Sequence, residues 1–467
     1  MTLQAQIVLV VVMPIATYLL FARYPTRTAI FLTFLGTYLF LPRRTGFALP
    51  LLPDFTEMTA VAYVVLIATL LFDGGKLRQY QWHWLDLPLL IWCVVPLGSS
   101  LINELGFYDG LGDCLKQFMV WGVPYGLGRL YLNSLTGMKE FALLWLKGAL
   151  IYTPLCLWEV RMSPQLHNQL YGFFAHDSGV LQALRSFGLW RPMVFMHHGL
   201  LVALFMFSAS LLALWLWQSG SVTQIWGQPI QLHVVVLCLT FLLLQSANTY
   251  FYMFLAIAIL IFGKFLKNNI PVLLLAAGVF IYLVIASTGN FDGSGLVDWI
   301  AQNISAERAN SLGFRFDQEV NLIAHAQKQW LWGWGGWARN EPELYTLWGS
   351  RIRVVIDSFW IIAFGVNGVL GLISIYITLI LPAVLLMTRR YPVRLWFEPQ
   401  VGPAIALSVC SLFVAIDSLF NASVNPLNTL VLGGVVGLVI QASDSLEVKG
   451  AKPVSSFPAA RRLHPRG

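Results

Sequence analysis

Residues 270–287, IPVLLLAAGVFIYLVIAS, decide the fold, because they contain no charged residue in eighteen positions. A transmembrane helix needs about 20 mostly apolar residues, so this stretch is long enough to cross a bilayer. Similar runs recur along almost the whole chain, which is 57% hydrophobic and 11% charged. Soluble domains carry roughly 25% charged residues. The composition therefore predicts an all-α, polytopic membrane protein.

The apolar runs predict about 12 or 13 transmembrane helices between residues 1 and 441. Their predicted positions are 3–22, 29–42, 58–72, 86–103, 113–131, 140–159, 193–217, 230–246, 249–265, 270–287, 356–388, 403–420 and 425–441. The run at 356–388 is too long for one ordinary span. We expect Gly365, Gly368 and Gly371 to break it and leave a short segment ahead of the span proper. Residues 442–467 are polar and predicted to form a disordered cytoplasmic tail.

Lys and Arg residues are distributed unevenly over the short loops. Sixteen lie on the side opposite the long loop at 288–354, and five lie in short loops on the same side as it. Since cytoplasmic loops carry the excess of positive charge, the long loop is predicted to be periplasmic or extracellular. Arg43 and Arg44 are the exceptions to this pattern.

The long loop differs from the rest of the chain in composition. Residues 288–353 hold 6 of the 18 tryptophans, together with five arginines and one lysine. Loops of this length are usually functional. Because arginine suits phosphate oxygens and aromatic faces suit sugar or apolar surfaces, the loop is a candidate binding region.

A first motif precedes the helix predicted at 193–217 and reads LRSFGLWRPMVFMHHGL, residues 184–200. It places Arg185 and Arg191 just outside the membrane. His197 and His198 are predicted to lie one to two turns into the helix. This pattern indicates an anion site. The alternative is that the arginines anchor the chain at the interface and the histidines bond to neighbouring helices.

A second motif, GFRFDQEVNLIAHAQKQWLWGWGGWARN at 313–340, has apolar residues at helical spacing. It predicts an amphipathic helix on the outer face of the membrane, ended by a Gly-Trp turn at 333–337. Arg315 near its start is a candidate ligand for pyrophosphate. Alternatively, Arg315 pairs with Asp317 or Glu319.

A third motif is SRIRVVIDSFWIIAFGVNGVLGL, residues 350–372, in which Arg351 and Arg353 approach the bilayer and Asp357 lies at its edge. Asp357 is a candidate general base, because a carboxylate there is costly unless it is paired or solvated. The alternative is that Asp357 caps the helix. Asp417, inside an apolar run, and Asn421 either face the same cavity or form a structural hydrogen bond.

Several sequence patterns are absent. The chain has no Gly-x-x-x-x-Gly-Lys loop, no His-Glu-x-x-His, and no Cys/His cluster with metal-site spacing. We therefore predict neither a metal nor a cofactor. The net charge of +7 is not organised as a basic helix, so nucleic acid is not an expected partner.

In this order, the three motifs resemble the O-antigen ligase and O-antigen polymerase superfamily of bacterial envelope enzymes. The matching segments are RSFGLWRP, then FRFDQEVNLIAHAQKQWLWGWGGW, then VVIDSFWIIAFGVNGVLGLI, and the resemblance covers about residues 170–390. It implies a C-type glycosyltransferase fold with a large periplasmic loop in the bacterial inner membrane. The implied activity is metal-independent transfer of a glycan from undecaprenyl pyrophosphate to a hydroxyl.

The resemblance also implies roles for particular residues. Arg185 or Arg191, together with Arg315 and Arg353, would hold the pyrophosphate. The candidates for accepting the proton of the attacking hydroxyl are Asp357, His197 and His198, and the candidates for stacking on sugar are Trp334 and Trp337. Expected partners are the lipid-linked oligosaccharide, membrane lipids and a polysaccharide chain-length regulator or export protein.

Two departures from the family pattern favour a polymerase over a ligase. Lipopolysaccharide ligases usually have histidine at the position of Asp357, and many members have Ser-Arg where this chain reads SANTYF at 246–251. The alternatives are an O-antigen ligase proper, a flippase or transporter of lipid-linked oligosaccharides, and a non-catalytic scaffold whose loop binds a partner.

Overall fold

A computed structural model describes residues 2–50, 52–176, 183–289, 293–303, 305–336, 338–342, 344–345, 351–352 and 356–441. Arg353, Trp337 and the predicted tail at 442–467 lie outside the described residues. The described part is mostly helical, as predicted. Its β structure consists of three two-stranded antiparallel ribbons: β1 (Gly46–Leu49) with β2 (Leu52–Thr56), β3 (Gln224–Ile225) with β4 (Gln228–Pro229), and β5 (Leu344–Tyr345) with β6 (Arg351–Ile352).

The helices follow one another along the chain. They are α1 (Leu3–Arg23), α2 (Thr26–Phe40), α3 (Ala60–Leu77), α4 (Leu87–Ile102), α5 (Phe107–Gln117), α6 (Val123–Tyr131), α7 (Leu135–Met162), α8 (Leu166–Tyr171), α9 (Gly199–Gln218), α10 (Ile230–Leu243), α11 (Ala247–Lys264), α12 (Ile270–Ser287), α13 (Ser294–Asn303), α14 (Ala306–Gln327), α15 (Phe359–Leu385), α16 (Gly402–Asp417) and α17 (Pro426–Ile440). Each of the thirteen predicted apolar runs overlaps with at least one of these helices, and the run at 113–131 overlaps with both α5 and α6.

Eight helical segments in the described part of the chain are long and apolar enough to cross a membrane. They are Leu3–Arg23, Ala60–Leu77, Trp84–Ile102, Leu135–Met162, Gly199–Gln218, Ala247–Lys264, Ile270–Ser287 and Phe359–Arg390. Three shorter apolar helices, α10, α16 and α17, pack among them. The chain is therefore a multi-pass membrane protein. Helices are the expected solution, because backbone polar groups inside lipid must be satisfied within the segment.

The centre of the bundle is formed by α9, α16 and α17. Every residue of α16 is buried. Helices α6 and α17 approach each other closely, because a Cβ at Gly128 would lie 2.0 Å from the carbonyl oxygen of Leu430. A Cβ at Gly433 would lie equally close to the carbonyl oxygen of Tyr125. Small residues of this kind let two backbones meet in membrane proteins, where van der Waals packing drives helix association.

Polar contacts divide the bundle into two ends. At the loop end, which carries α14, the pairs are Thr2 with Tyr171, Tyr171 with Phe40, Arg43 with Phe195, Arg191 with Gln245 and Gln327 with Ser287. At the opposite end, the pairs are Arg27 with Glu140, Arg129 with Asp86, Tyr131 with Asp73 and Lys264 with Gln218. This division agrees with the predicted alternation of the helices. Which face of the membrane each end meets stays a prediction.

Arg43, an exception in the charge pattern, is an internal hydrogen-bond donor. Its side chain is buried, and its guanidinium donates to the carbonyls of Tyr38 and Phe195. Its backbone N–H donates to His167 Nε2. These hydrogen bonds stabilise the loop end. They give a structural reason for an arginine on the side of the bundle that has few positive charges.

Helix α15 is broken at Gly368 and folds back on itself. Gly368 has φ 62° and ψ −167°, which is not helical. The backbone N–H of Trp360 donates to Ser418, and the hydroxyl of Tyr376 is 2.8 Å from Ser418 Oγ. In a straight helix, residues 16 positions apart are about 24 Å apart, so both cannot reach one residue. The predicted break is confirmed, and it separates a half-helix, 359–367, from an antiparallel span, 369–390.

The Gly-Trp segment at 330–336 packs against this fold-back. The backbone N–H groups of Trp334 and Gly335 donate to the carbonyls of Gly365 and Val366, and Val369 N–H donates to the carbonyl of Trp330. Two side chains of α4 also bind the segment, because Ser99 Oγ and Asn103 Nδ2 donate to the Gly333 carbonyl. The sequence predicted only that this segment ends the amphipathic helix. It also provides hydrogen-bond partners for backbone groups that the break in α15 exposes.

Candidate functional site

Arg315 and Asp357 lie together in a cleft at the loop end. Arg315 comes from α14, and Asp357 comes two residues before α15 begins. Arg315 Nε is 3.9 Å from Asp357 Oδ2, and the side chains are 24% and 45% exposed. This separation is too long for a hydrogen bond, so the ion pair is loose. The N-cap position of α15 is occupied by Ser358, whose side chain makes no capping hydrogen bond, so the alternative interpretation of Asp357 as the N-cap residue is wrong.

The cleft is partly open to solvent and lies at the foot of the half-helix. Its lining residues are Phe314, Arg315, Gln318, Glu319, Leu322, Asp357, Ser358 and Ile361. Trp360, at the start of the half-helix, and Tyr376 both contact Ser418, so they lie at the same level of the bundle. Each is eight residues from Gly368. At 1.5 Å per residue, the cleft at the start of the half-helix is therefore roughly 12 Å from the fold-back at Gly368. The start of a helix also carries partial positive charge. The cleft therefore combines a guanidinium with the positive end of a half-helix.

Glu319 holds the elements of the cleft together. It follows Arg315 by one helical turn and is 8% exposed. Its Oε1 accepts hydrogen bonds from Ser358 Oγ at 2.5 Å and from Trp360 Nε1 at 3.3 Å, and Tyr282 of α12 also bonds to it. Burial raises the pKa of Glu319 above its usual value, while these hydrogen bonds and the charge of Arg315 oppose the shift. Glu319 thus joins α12, α14 and α15 directly beneath Arg315.

A second buried carboxylate, Asp417, lies within electrostatic range of Arg315. It is 3% exposed and accepts hydrogen bonds from Tyr252 at 3.1 Å, from Asn421 at 2.8 Å and from Ser423. The bond from Asn421 confirms one of the two alternatives predicted for this pair. The charge of Arg315 acts on both Asp417 and Tyr252.

Three histidines form a second cluster at the loop end. The ring of His176 lies 5.5 Å from that of His197 and 5.2 Å from that of His198, between centroids. The predicted position of the histidines inside the helix was wrong, because α9 begins at Gly199. His198 is the N-cap residue, in extended backbone, and its Nδ1 accepts the N–H of Leu200 at 3.1 Å.

Hydrogen bonding gives His197 and His198 different chemical roles. Because Nδ1 of His198 accepts, a neutral ring carries its proton on Nε2 and acts as a donor there. Burial, followed by the nearby charges of His176 and Arg191, lowers the pKa of His198 to about 3, so it is a weak base. His197 is exposed, and its Nδ1 lies 3.0 Å from the Ala175 carbonyl, to which it must donate. A neutral His197 then carries its lone pair on Nε2.

The two arginines of this segment differ in burial. Arg191 is 8% exposed, and its guanidinium donates to the carbonyl of Gln245 at 3.0 Å, just before α11. Its stem packs on Gly199, where a Cβ would come within 2.6 Å of it. Arg185 is half-buried, and its guanidinium donates to the Leu184 carbonyl at 2.7 Å. Both charges act on His198, which confirms that the motif brings cations and imidazoles together.

Glu159, near the end of α7, fixes the backbone on which these residues lie. It is 0% exposed and accepts the N–H groups of Met193 at 2.8 Å and Val194 at 2.7 Å. Its other oxygen accepts the N–H of Leu166 at 2.9 Å. These bonds hold residues 193–194 in a non-helical form, which explains why α9 starts later than its apolar pattern predicts.

Polar side chains in the interior link the neighbourhoods of the two clusters. Tyr38 bonds to the side chain of Asn425 and lies within electrostatic range of both Arg43 and Asp417. Asp417 in turn interacts with Arg315, and Arg43 bonds to Phe195, two residues before His197. The clusters therefore share one polar layer at the loop end. Of the predicted site residues, Arg315 and Asp357 meet in the cleft, whereas Arg191 does not line it and belongs to the histidine cluster.

The remaining predicted residues are placed as follows. One face of Trp334 is stacked on His325 with centroids 4.5 Å apart, and its indole N–H donates to the His325 carbonyl. That face is covered, so sugar stacking by Trp334 would use the other face. Trp337 and Arg353 lie outside the described residues.

Sequence reasoning missed Glu319 and Glu159 as residues that organise the site. Both carboxylates are buried in helices, where an unpaired charge is costly. The spacing of four residues between Arg315 and Glu319 is visible in the sequence. The hydrogen bonds from Ser358 and Trp360 to Glu319 are not, because they join residues 39 and 41 positions apart. Within the described ranges, no group of three His, Cys, Asp or Glu residues is arranged to hold a metal ion.

Comparison with known proteins gives no family assignment. No family model matches the chain, and no curated protein matches it.

Proposed function

We propose that this protein is a membrane glycosyltransferase of the O-antigen polymerase or ligase type. It would polymerise or transfer undecaprenyl-pyrophosphate-linked glycans at the periplasmic face of the bacterial inner membrane, without a metal. The observation that supports this proposal is the loose ion pair of Arg315 with Asp357 in an open cleft at the start of a half-helix. The resemblance of the three motifs supports the same class, together with its C-type glycosyltransferase fold.

The chemistry assigned to the cleft is displacement at a sugar carbon. The acceptor hydroxyl oxygen forms a bond to the anomeric carbon, while the bond from that carbon to the pyrophosphate oxygen breaks. The pyrophosphate leaves with the electron pair, and the hydroxyl proton passes to Asp357 in the cleft or, if the acceptor binds beside the histidine cluster, to Nε2 of His197. Arg315 stabilises the charge that grows on the leaving group, which favours the transition state over the ground state.

In this mechanism, Asp357 has two successive roles. Without substrate it is the counter-ion of Arg315 at 3.9 Å. A bound pyrophosphate carries more negative charge than a carboxylate and offers several oxygens to the guanidinium. It therefore displaces Asp357 from Arg315, and the freed carboxylate is then available to accept a proton. Glu319 and Asp417 are too buried to exchange in this way.

The experiment that tests the proposal uses purified protein and lipid-linked repeat units, read for chain extension and for transfer to a second acceptor. Removing one charge-stabilising donor costs about 10²- to 10³-fold in rate, so Arg315→Ala should lose activity by that factor. The matched control is Arg339→Ala, an exposed arginine of the same loop, which should keep normal activity. Normal polymer from Arg315→Ala would refute the proposed role.

Two further variants assign the proton acceptor. If Asp357 is the base, Asp357→Asn loses turnover while His197→Gln retains it, and the reverse pattern assigns His197. Extension of the lipid-linked chain indicates a polymerase, whereas transfer to a lipid A-type acceptor indicates a ligase. A chain-length regulator or export protein would be recognised by its effect on product length.

A second candidate is a flippase or transporter of lipid-linked oligosaccharides, and the broken helix α15 favours it. Transporter sites are typically formed by discontinuous helices. Here, however, backbone groups of Gly365, Val366 and Val369 at the break are bonded to the Gly-Trp segment. Because the break is closed by protein, the enzyme remains the better supported proposal. Movement of labelled lipid-linked substrate across proteoliposomes without chemical change would favour the transporter.

A further inference from the structure

Residues 184–190 form a short β-hairpin, the 184–190 hairpin, beside the end of α7. Leu184 and Trp190 are paired across it, and the N–H of Arg185 donates to the Leu189 carbonyl at 2.8 Å. Its returning strand is bonded to α7, because the N–H of Trp190 donates to the Val160 carbonyl at 2.9 Å. The hairpin is therefore fixed to the last turn of a candidate membrane span.

The tip of this hairpin has an unusual residue. These pairings leave a three-residue loop, Ser186 to Gly188. Within it Phe187 has φ 63° and ψ 24°, and Gly188 has φ 67°, so both are in the left-handed region. A bulky side chain at positive φ is strained. Phe187 is also 96% exposed, so no contact within the described chain offsets the strain. Strained residues that persist without an internal reason are a basis for inferring function.

The position of the hairpin indicates what covers this side chain. On the last turns of α7, Trp158 is 37% exposed and Met162 is 56% exposed, on either side of the Val160 carbonyl that holds the hairpin. Exposed apolar residues on a membrane span face lipid, and tryptophan favours the boundary between acyl chains and headgroups. The hairpin tip thus projects at the level where α7 leaves the bilayer.

We propose that Phe187 inserts into the headgroup and acyl-chain boundary of the bilayer and anchors the 184–190 hairpin there. The next residue after the hairpin is Arg191, whose N–H donates to the Ala183 carbonyl on the opposite strand at 2.7 Å. Contact of the tip with lipid consequently fixes the backbone that leads into Arg191 and the histidine cluster. This inference does not depend on the proposed glycosyltransferase activity.

The test is a depth measurement on the full-length protein in lipid nanodiscs. A spin label is attached to Phe187→Cys after Cys114 and Cys238, the two half-buried cysteines, are replaced by alanine; the other three are buried. Collision rates with oxygen, which enriches in lipid, and with a soluble nickel chelate, which does not, are then compared. Two reference labels are needed: Leu274→Cys, 66% exposed on α12, for lipid, and Asp54→Cys, exposed in the β1–β2 ribbon, for water.

We expect the oxygen-to-nickel collision ratio at position 187 to exceed that at position 54 several-fold and to approach the ratio at position 274. A ratio equal to that at position 54 would place Phe187 in water and overturn the proposal. A label shielded from both reagents would also overturn it, because a protein partner or a second copy would then cover the tip.

Discussion

Neutralising Asp357 should strengthen the binding of a diphosphate, although the same change removes a candidate base. Asp357 is the counter-ion of Arg315 in the empty cleft, so a diphosphate has to displace it. In Asp357→Asn the amide keeps the size of the side chain and loses the competing charge. The substitution also removes the repulsion between the carboxylate and the diphosphate. Loss of the competing charge and loss of the repulsion both strengthen diphosphate binding.

The magnitude follows from the separation and the exposure of the pair. Coulomb's law gives about 1 kcal/mol in water and about 4 kcal/mol at an effective dielectric constant of about 20 for charges at this separation. Asp357 is 45% exposed, so the lower limit applies. Exposed ion pairs contribute about 0.2–1 kcal/mol in measurements, which corresponds to a dissociation constant lower by about 1.4- to 5-fold.

The assay is calorimetric titration with farnesyl diphosphate, a soluble lipid diphosphate, on the wild type and on Asp357→Asn in detergent. The matched control is Asp54→Asn, which removes an exposed carboxylate of the β1–β2 ribbon and should leave affinity unchanged. Added salt should reduce the difference, because exposed charges are screened. Weaker binding by Asp357→Asn than by the wild type would refute the exchange and make Asp357 a direct substrate ligand.

Three other outcomes follow from the same contacts. Glu319→Gln should lower the free energy of unfolding by about 1–3 kcal/mol, measured by denaturant unfolding in detergent, because an amide cannot accept all the hydrogen bonds of a buried carboxylate; an unchanged value would contradict the joining role. Gly333→Ala should be destabilised by more than about 2 kcal/mol, because its φ is +74° and its Cβ would lie 2.5 Å from backbone atoms, whereas Gly278→Ala, with nothing within 4 Å, should melt normally. The pKa of His198 is lowered to about 3 in the folded protein. As pH falls from about 6.5 towards 3, His198 takes up a proton in the unfolded chain and not in the folded protein, which favours unfolding. The melting temperature should therefore fall over this pH range, and it should fall less in His198→Asn.

The helices could be predicted from the sequence because lipid leaves the backbone few alternatives. Apolar runs long enough to span a bilayer must form helices, and all thirteen predicted runs overlap with helices. The break in α15 was visible in its glycines. That the chain reverses at Gly368 was not visible, because it depends on contacts of Trp360 and Tyr376 with Ser418, which are distant in sequence.

Part of the site could be predicted from the sequence, because charged residues beside apolar segments are conspicuous. Arg315 and Asp357 were identified from residue type and from their places beside apolar segments, and they meet. The start of α9 was placed too early, because hydropathy continues through residues 193–196, while the hydrogen bonds of Glu159 that prevent a helix there leave no local pattern. The roles of His197 and His198 likewise depend on which ring nitrogen meets a backbone group, and sequence gives no information on that.

The central claim is that Arg315 holds a lipid diphosphate in the cleft at the foot of the half-helix. Its most direct test is a cryo-electron microscopy structure of the protein in nanodiscs with undecaprenyl pyrophosphate. We expect phosphate density within hydrogen-bond distance of the Arg315 guanidinium, with Asp357 farther from Arg315 than its 3.9 Å in the structure without substrate. Phosphate density at another place in the bundle, with the Arg315–Asp357 pair unchanged, would contradict it.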